Sequence, residues 1–233
     1  MKRPLLDQLT KDRAAKRPVA LATRLSDGAQ AIVYPDGAAG DLAEDRDVVA
    51  AARAALAADQ SGVHEVGGGQ VFVHVYNPAL RLIVVGAVHI AQPLARMAAI
   101  AGYDVSVVDP RASFATTDRF PGVTLVDEWP DDAMKQLAPD RRTAVVTLTH
   151  DPKLDDPALD VALRTDAFYI GALGSRRTHA KRVDRLKELG HGDNVIARIH
   201  GPVGLNIGGV SPAEIAVSIL GQITEVLHKR DDT

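Results

Sequence analysis

The chain has 233 residues, 46% hydrophobic and 24% charged, with a formal net charge of −3 and no cysteine. That length suits one full domain with an appendage, and the composition suits a soluble protein with a proper core. A small negative charge excludes a general nucleic-acid binder, while the missing cysteines exclude disulfides, thiolate metal sites and a cysteine nucleophile.

The opening Met1-Lys2-Arg3-Pro4-Leu5-Leu6-Asp7-Gln8 lacks an apolar run of signal-peptide length, and the longest apolar stretches are strand-sized. The chain is therefore read as cytoplasmic, with no membrane contact. Pro18 to Leu25 and Ala29 to Tyr34 are β-prone runs joined by Ser26-Asp27-Gly28, a hairpin signal. Asp45 to Ala58 is alanine-rich and helical. After Gly67-Gly68-Gly69, Gln70 to Tyr76 alternates as a strand does, and Asn77-Pro78 breaks it. A small N-terminal α+β region is thus expected over 1–78.

From Arg81 the pattern changes to buried strands alternating with helices. Strands are expected at Leu82 to Val85, Asp104 to Val108, Val123 to Val126, Ala144 to Leu148, Phe168 to Ile170 and Val195 to Ile199. Helices are expected at Val88 to Gly102, Asp131 to Leu137, Asp155 to Arg164, from Ser175 onward, and from the capping box Ser211-Pro212-Ala213-Glu214 to about Lys229. Strands apolar on both faces that alternate with helices form a parallel sheet covered on both sides. The fold class is α/β, with a Rossmann-like doubly wound parallel sheet over 79–233.

In such a sheet the loops after the strands line the binding crevice. Ala167 to Ile170 runs into a turn with Gly171 and Gly174, around Leu173, and Ser175 then caps a helix whose first turn carries Arg176 and Arg177. Free N–H groups, the positive helix end and two guanidiniums make a place for phosphate; a plain strand–loop–helix connection has the same pattern. In Val85-Gly86-Ala87-Val88-His89-Ile90-Ala91, Gly86 supplies the tight turn and Ala91 an accepted third position. Val88, however, stands where a dinucleotide fingerprint needs its middle glycine. Asp109 lies where an acid binds a ribose hydroxyl, and Arg111 could meet a phosphate. NAD(P)-dependent hydride transfer and a loop that merely keeps the fold both remain open.

The loop Thr147 to Asp156 brings His150, Asp151 and Lys153 to the same crevice as ligand candidates, while Asp155 or Asp156 reads as the cap of the next helix. No second histidine stands at ligand spacing, so no metal is expected. The Gly201 to Gly209 loop allows close approach of a ligand or simply makes a long connection. The basic run Arg176, Arg177, Lys181, Arg182, Arg185 and Lys187 reads as a solvated helix face. The closing helix carries Ile215, Ala216, Ile219, Leu220, Ile223, Val226 and Leu227, a stripe that covers one face and packs in part on the sheet. Apolar surface left uncovered by the short N-terminal part is expected to be buried in a homodimer, through the N-terminal hairpin or an outer helix.

Five segments together resemble the XdhC/CoxI family, accessory proteins of xanthine dehydrogenase and related molybdenum hydroxylases. They are residues 85–91, Val107 to Ala115, Leu148 to Asp155, Tyr169 to Thr178, and Gly201 to Leu205 leading to Ser211 to Ala216. The resemblance implies a Rossmann-like C-terminal domain and a chaperone rather than an enzyme. It would bind molybdenum cofactor (molybdopterin, or a nucleotide-extended form), protect it during sulfuration and deliver it to an apo molybdenum hydroxylase, with a cysteine desulfurase as a further partner. One departure stands out. Where the family usually carries Gly-Gly-Cys-x-Glu, this chain reads Ala38-Ala39-Gly40-Asp41-Leu42-Ala43-Glu44-Asp45. Cofactor contact would then come from the crevice, from backbone groups or from a second polypeptide.

Overall fold

A computed structural model describes residues 2–229, and the chain divides into two compact units, 1–78 and 79–233. In the first, α1 (Arg3–Ala14) precedes β1 (Val19–Arg24), β2 (Gln30–Val33), β3 (Ala38–Gly40), α2 (Arg46–Ala58), β4 (Gly62–Val66) and β5 (Gly69–Tyr76). The strands form an antiparallel sheet in the order β3-β2-β1-β5-β4. The β1–β2 turn falls at the expected place, with Gly28 at φ +73° and the Asp27 carboxylate accepting from Ala29 N at 3.0 Å. Helix α2 lays Val48, Ala52, Ala55 and Leu56 on Ala20, Ala22, Ala31, Val71 and Val73 of the sheet.

Three elements of this unit escape the sequence pattern. Helix α1 has only Leu5, Leu6 and Leu9 as large apolar residues, and Leu9 alone is buried. β3 is Ala-Ala-Gly, a composition poor in β-formers, and forms because it pairs with β2 at the sheet edge. β4 alternates over only five residues beside the Gly67–Gly68 turn. The stretch Ala38 to Asp45 has structural duties. Leu42 is buried, and Asp45 caps α2 through Val48 N at 3.2 Å while pairing with Arg24 at 2.9 Å.

The second unit runs β6 (Arg81–Val85), α3 (Ala91–Ile100), β7 (Asp104–Val108), β8 (Thr124–Val126), α4 (Pro130–Leu137) and β9 (Thr143–Thr147). It continues with α5 (Pro152–Leu163), β10 (Tyr169–Ala172), α6 (Arg176–Glu188), α7 (Asp193–Ile196), β11 (Ile199–His200) and α8 (Pro212–Lys229). Its six strands are parallel in the order β11-β10-β9-β6-β7-β8. The chain starts in the middle of this sheet, winds outward to one edge through β7 and β8, and returns to build the other through β9, β10 and β11, which is the doubly wound Rossmann arrangement. Leu82 and Val84 face one core with α3 and α8, while Ile83 and Val85 face the other with α4, α5 and α6. That is why these strands read as continuous apolar runs rather than alternating ones.

One expectation changes. The run Val195 to Ile199 is not one strand: α7 takes Val195 and Ile196, and the strand is only Ile199–His200. A short apolar run fits a buried helical turn as well as a strand, and Ile196 reaches the core from the helix. The stripe on α8 packs on the core of its own unit, as expected for part of it. Ala216, Ile219 and Ile223 are buried, with Ile215, Leu220, Val226 and Leu227 packed against the same core. Among the described residues no helix is long and apolar enough to cross a membrane.

Gly171 lies inside β10, and a Cβ there would meet Val203 Cγ2 at 2.5 Å and Tyr169 Cε1 at 2.8 Å. Packing alone therefore requires a glycine at this place in the sequence motif. Gly171→Ala should lower unfolding free energy by about 1–3 kcal/mol through overpacking; urea denaturation with an unchanged midpoint would show that the neighbours give way.

Candidate functional site

The crevice opens where the strand order reverses, between the carboxyl ends of β6 and β9, and the loops after β6, β7, β9 and β10 surround it. Gly86 sits at φ +105° and donates to the Val108 carbonyl at 2.8 Å; a Cβ there would strike Thr149 Cγ2. The two loops at the switch point can touch only because that residue has no side chain.

The Asp109 carboxylate is fully buried and accepts from Ala87 N at 2.8 Å, Arg111 N at 3.0 Å, Arg111 Nε at 2.8 Å and Arg111 Nη2 at 2.7 Å. A carboxylate has about four acceptor sites, and these four donors fill them. The ribose role offered by sequence is thus replaced by a strut joining the first two loops. Burial by itself would raise its pKa, but the Arg111 guanidinium and the two backbone N–H groups outweigh it and hold the group below the usual carboxylate range. Arg111, expected to meet a phosphate, spends Nε and Nη2 on this strut and lies 4.4 Å over the Phe114 ring.

The helix expected from Val88 starts only at Ala91, and no side chain caps it. Val88 is partly buried against the core, and His89 is exposed. The first loop therefore lacks the glycine-lined helix start that a pyrophosphate uses.

After β9 the roles of two aspartates exchange. Asp151 is the cap of α5, accepting from Lys153 N at 2.9 Å, so the helix begins at Pro152 rather than Asp155. Asp155 is 1% exposed and braces the turn before it, accepting from Thr149 Oγ1 at 2.6 Å, Thr149 N at 3.3 Å and His150 N at 3.1 Å. That brace holds His150 at φ +62°, a strained setting for a residue with a Cβ. His150, Asp151 and Lys153 are all exposed. Among the described residues no group of three or more His, Asp or Glu is placed to hold a metal ion.

After β10, Leu173 N donates to the Thr147 carbonyl at 2.9 Å, tying this loop to the previous one. Gly174 lies at φ +145°, and Ser175 Oγ accepts from Thr178 N at 3.2 Å as the cap of α6. The first-turn N–H groups of Arg176 and Arg177 have no intrahelical acceptor, and both side chains are exposed at this positive helix end.

The basic face of α6 is not simply solvated. Arg182 is 1% exposed; its Nη2 donates to the Leu173 carbonyl at 2.9 Å and lies 3.6 Å from Asp155 Oδ2, while Nε and Nη1 have no hydrogen-bond partner. Burial pulls the pKa of this guanidinium down, with Asp155 and Asp156 pushing it back up. Burial pushes the Asp155 carboxyl above its ordinary value despite its hydrogen bonds and Arg182. Arg185 forks onto Asp156, with Nη2 at 3.0 Å from Oδ1. Beside them opens a cleft of ≈ 260 Å³ lined by His150, Pro152, Asp155, Arg177, Thr178, Lys181, Arg182 and Arg185.

The expected residues thus collect at one sheet edge, but only His150 and Arg177 share this cleft. Thr178, Lys181, Arg182 and Arg185 repeat at helical spacing, which marks one face. The missed signal is that α6 offers only Ala180, Val183 and Leu186 as apolar residues, too few to cover a core, so a polar side chain had to be buried.

Two histidines at the far side of this edge provide a pH test. His200 stacks on Tyr169 with centroids 4.7 Å apart, and His179 Nδ1 is buried without a partner. Burial, together with Arg182, pulls His179 below its usual 6.5; burial does the same to His200 although Glu225 opposes it. The unfolded chain then takes up protons first, so stability is fully present above 6.5 and is lost as pH falls from 6.5 toward the folded-state values. Melting temperature should fall between about pH 7.5 and 5.5, and less so in His200→Phe, which keeps the ring stack. A flat profile in the unmodified protein would remove both histidines from its acid sensitivity.

Comparison with known proteins identifies the family and the fold. The XdhC Rossmann domain model matches residues 82–223. The chain is 33% identical over 159 residues to the molybdenum cofactor insertion chaperone PaoD of Escherichia coli K12, covering 68% of this chain and 44% of that protein. It is 32% identical over 156 residues to a probable xanthine dehydrogenase subunit of Bacillus subtilis 168, covering 66% and 45%. It is also 33% identical over 169 residues to the E. coli protein YqeB, covering 72% and 31%. The chain spans less than half the length of these relatives. A crystal structure of a xanthine dehydrogenase from Bacillus halodurans superposes with a TM-score of 0.75 over 99% of this chain and 68% of that one; at 24% identity it shows a shared fold. By sequence match the chain belongs to the XdhC family, whose Rossmann domain it carries at residues 82–223.

Proposed function

We propose that the protein binds molybdenum cofactor and assists its insertion into an apo molybdenum hydroxylase of the xanthine dehydrogenase type. The observation that carries this reading is the N-terminus of α6 at the carboxyl edge of the sheet, where the Ser175 cap, first-turn N–H groups and the Arg176 and Arg177 guanidiniums converge. Molybdenum cofactor is a pterin ending in a phosphate, and its nucleotide-extended form carries a pyrophosphate. Either phosphate end suits a helix start flanked by planar, multidentate cations. PaoD, a relative whose name is molybdenum cofactor insertion chaperone, supports the same role.

The residues fit the phosphate end of the cofactor better than its metal end. With no cysteine in the chain, none of its side chains can replace a thiolate at molybdenum. The metal supplies the hydroxylation chemistry of the client enzyme, and the work left to this chain is to hold the phosphate, cover the pterin and release both. With no cysteine to carry sulfur, any sulfuration of the held cofactor draws its sulfur from a second polypeptide such as a cysteine desulfurase. Hydride transfer with NAD(P) has less support, because Asp109 is saturated and α3 starts three residues after Val88.

The test is cofactor retention and transfer by the whole chain. Mixed with molybdenum cofactor and an apo xanthine dehydrogenase-type enzyme, the protein should raise the yield of active hydroxylase. Arg176→Ala should weaken cofactor binding roughly tenfold to a hundredfold once the ligand shields that contact from water. If the unmodified protein neither retains the cofactor nor changes the activation yield, the reading fails.

A further inference from the structure

We infer that the cleft between the β9–α5 loop and α6 is a phosphoryl-binding site built on the buried Arg182, about two turns along the helix from its Ser175 cap, with Arg177 bordering both. It goes beyond the cofactor reading and stands whether or not the crevice holds molybdenum cofactor.

The first observation is an imbalance of hydrogen bonds. A guanidinium has five N–H donors, and Arg182 is buried with one nitrogen, Nη2, bonded to the Leu173 carbonyl. Nε and Nη1 have no partner at all. Buried polar groups are ordinarily satisfied, and an unsatisfied charged one is the most unfavourable of all. Asp155 does not cure the deficit. Its oxygens already serve Thr149 and His150, and it approaches Arg182 only to 3.6 Å, beyond hydrogen-bond distance.

The second observation is an imbalance of charge. Arg177, Lys181, Arg182 and Arg185 line the cleft with Asp155 as its one carboxylate. Arg185 is neutralised by Asp156, but among the described residues no carboxylate pairs with Arg177 or Lys181. The cleft therefore keeps a positive excess around a guanidinium with idle donors.

Size and shape select the ligand. At ≈ 260 Å³ the cleft is smaller than the roughly 300–1,000 Å³ that encloses a drug-sized molecule. It suits a phosphoryl head rather than a whole pterin or dinucleotide. Such a group offers three or four acceptor oxygens to a fork of N–H donors, the geometry in which arginine excels. Thr178 adds a hydroxyl at the rim. The anion is either free phosphate or the phosphate end of a larger molecule whose body lies outside the cleft.

The experiment is calorimetric titration of the full chain with inorganic phosphate and, separately, glycerol 3-phosphate, with chloride at equal ionic strength as the baseline. One phosphoryl group should bind per chain and raise the melting temperature saturably, because a ligand that binds only the folded state stabilises it. Lys181→Gln should weaken binding roughly tenfold, the loss of one charge-assisted contact. Arg182→Met, similar in shape and without the idle donors, should abolish it, at a cost in stability because the buried Asp155 then loses its facing cation. Lys187→Gln, on the same helix but paired with Asp193 outside the cleft, should leave affinity unchanged.

Should Arg182→Met fail to fold, Lys181→Gln still decides. Binding of both probes assigns the site to a phosphate-terminated ligand, and binding of inorganic phosphate alone assigns it to the free anion; either supports the site. No saturable binding above chloride, or equal affinity in Lys181→Gln and the unmodified chain, overturns it. A protein that binds phosphate here yet fails to activate an apo-hydroxylase loses the cofactor reading and keeps this one.

Discussion

The buried pairing of Asp155 with Arg182 is the constraint around which the crevice is organised. Neither ion is comfortable there. Asp155 accepts three donors from Thr149 and His150 and so fixes the β9–α5 turn, including the left-handed His150. Arg182 reaches from α6 to the Leu173 carbonyl and so fixes the loop after β10. Leu173 in turn donates to Thr147 at the end of β9. One carboxylate and one guanidinium therefore hold two neighbouring loops in register, and removing either would leave an uncompensated charge in the interior.

On the other side of the switch point, Asp109 does comparable work by a different balance. There the carboxylate is saturated, and its Arg111 partner closes a compact local ring of hydrogen bonds. The contrast between the two pairs separates structure from function. A saturated pair has nothing left to offer a ligand, whereas a buried arginine with idle donors does. The same position that holds a ribose in a dinucleotide-binding Rossmann domain here ties Ala87 to Arg111.

Much of the fold was legible because its signals are local. The apolar runs at Leu82 to Val85 and Ala144 to Leu148, the capping box at Ser211 to Glu214 and the Ser175 cap each announce themselves within a few residues. The capping box forms with Ser211 N donating to the Glu214 carboxylate at 2.8 Å and Glu214 N to Ser211 Oγ at 3.3 Å. What escaped was either weakly apolar, as in α1, or dependent on pairing, as in β3. Asp151 and Asp155 were both visible as carboxylates near a helix start. Which one capped the helix turned on a φ angle at His150 that no short-range pattern specifies.

By itself, the sequence determined the alternation of buried strands and helices, the doubly wound sheet, the loops that reach its carboxyl edge and the Ser175-capped, arginine-flanked start of α6. These follow from periodicity, capping chemistry and glycine placement, all of which act over a few residues. Only the tertiary structure decided which charges are spent and which remain available. Asp109 became a strut because Ala87, 22 residues away, presents its N–H to it. Arg182 became buried because α6 lacks enough apolar residues to cover the sheet and α5 supplies Asp155 opposite it. Burial and hydrogen-bond saturation are properties of neighbours brought together by folding, and a linear pattern of residue types does not contain them.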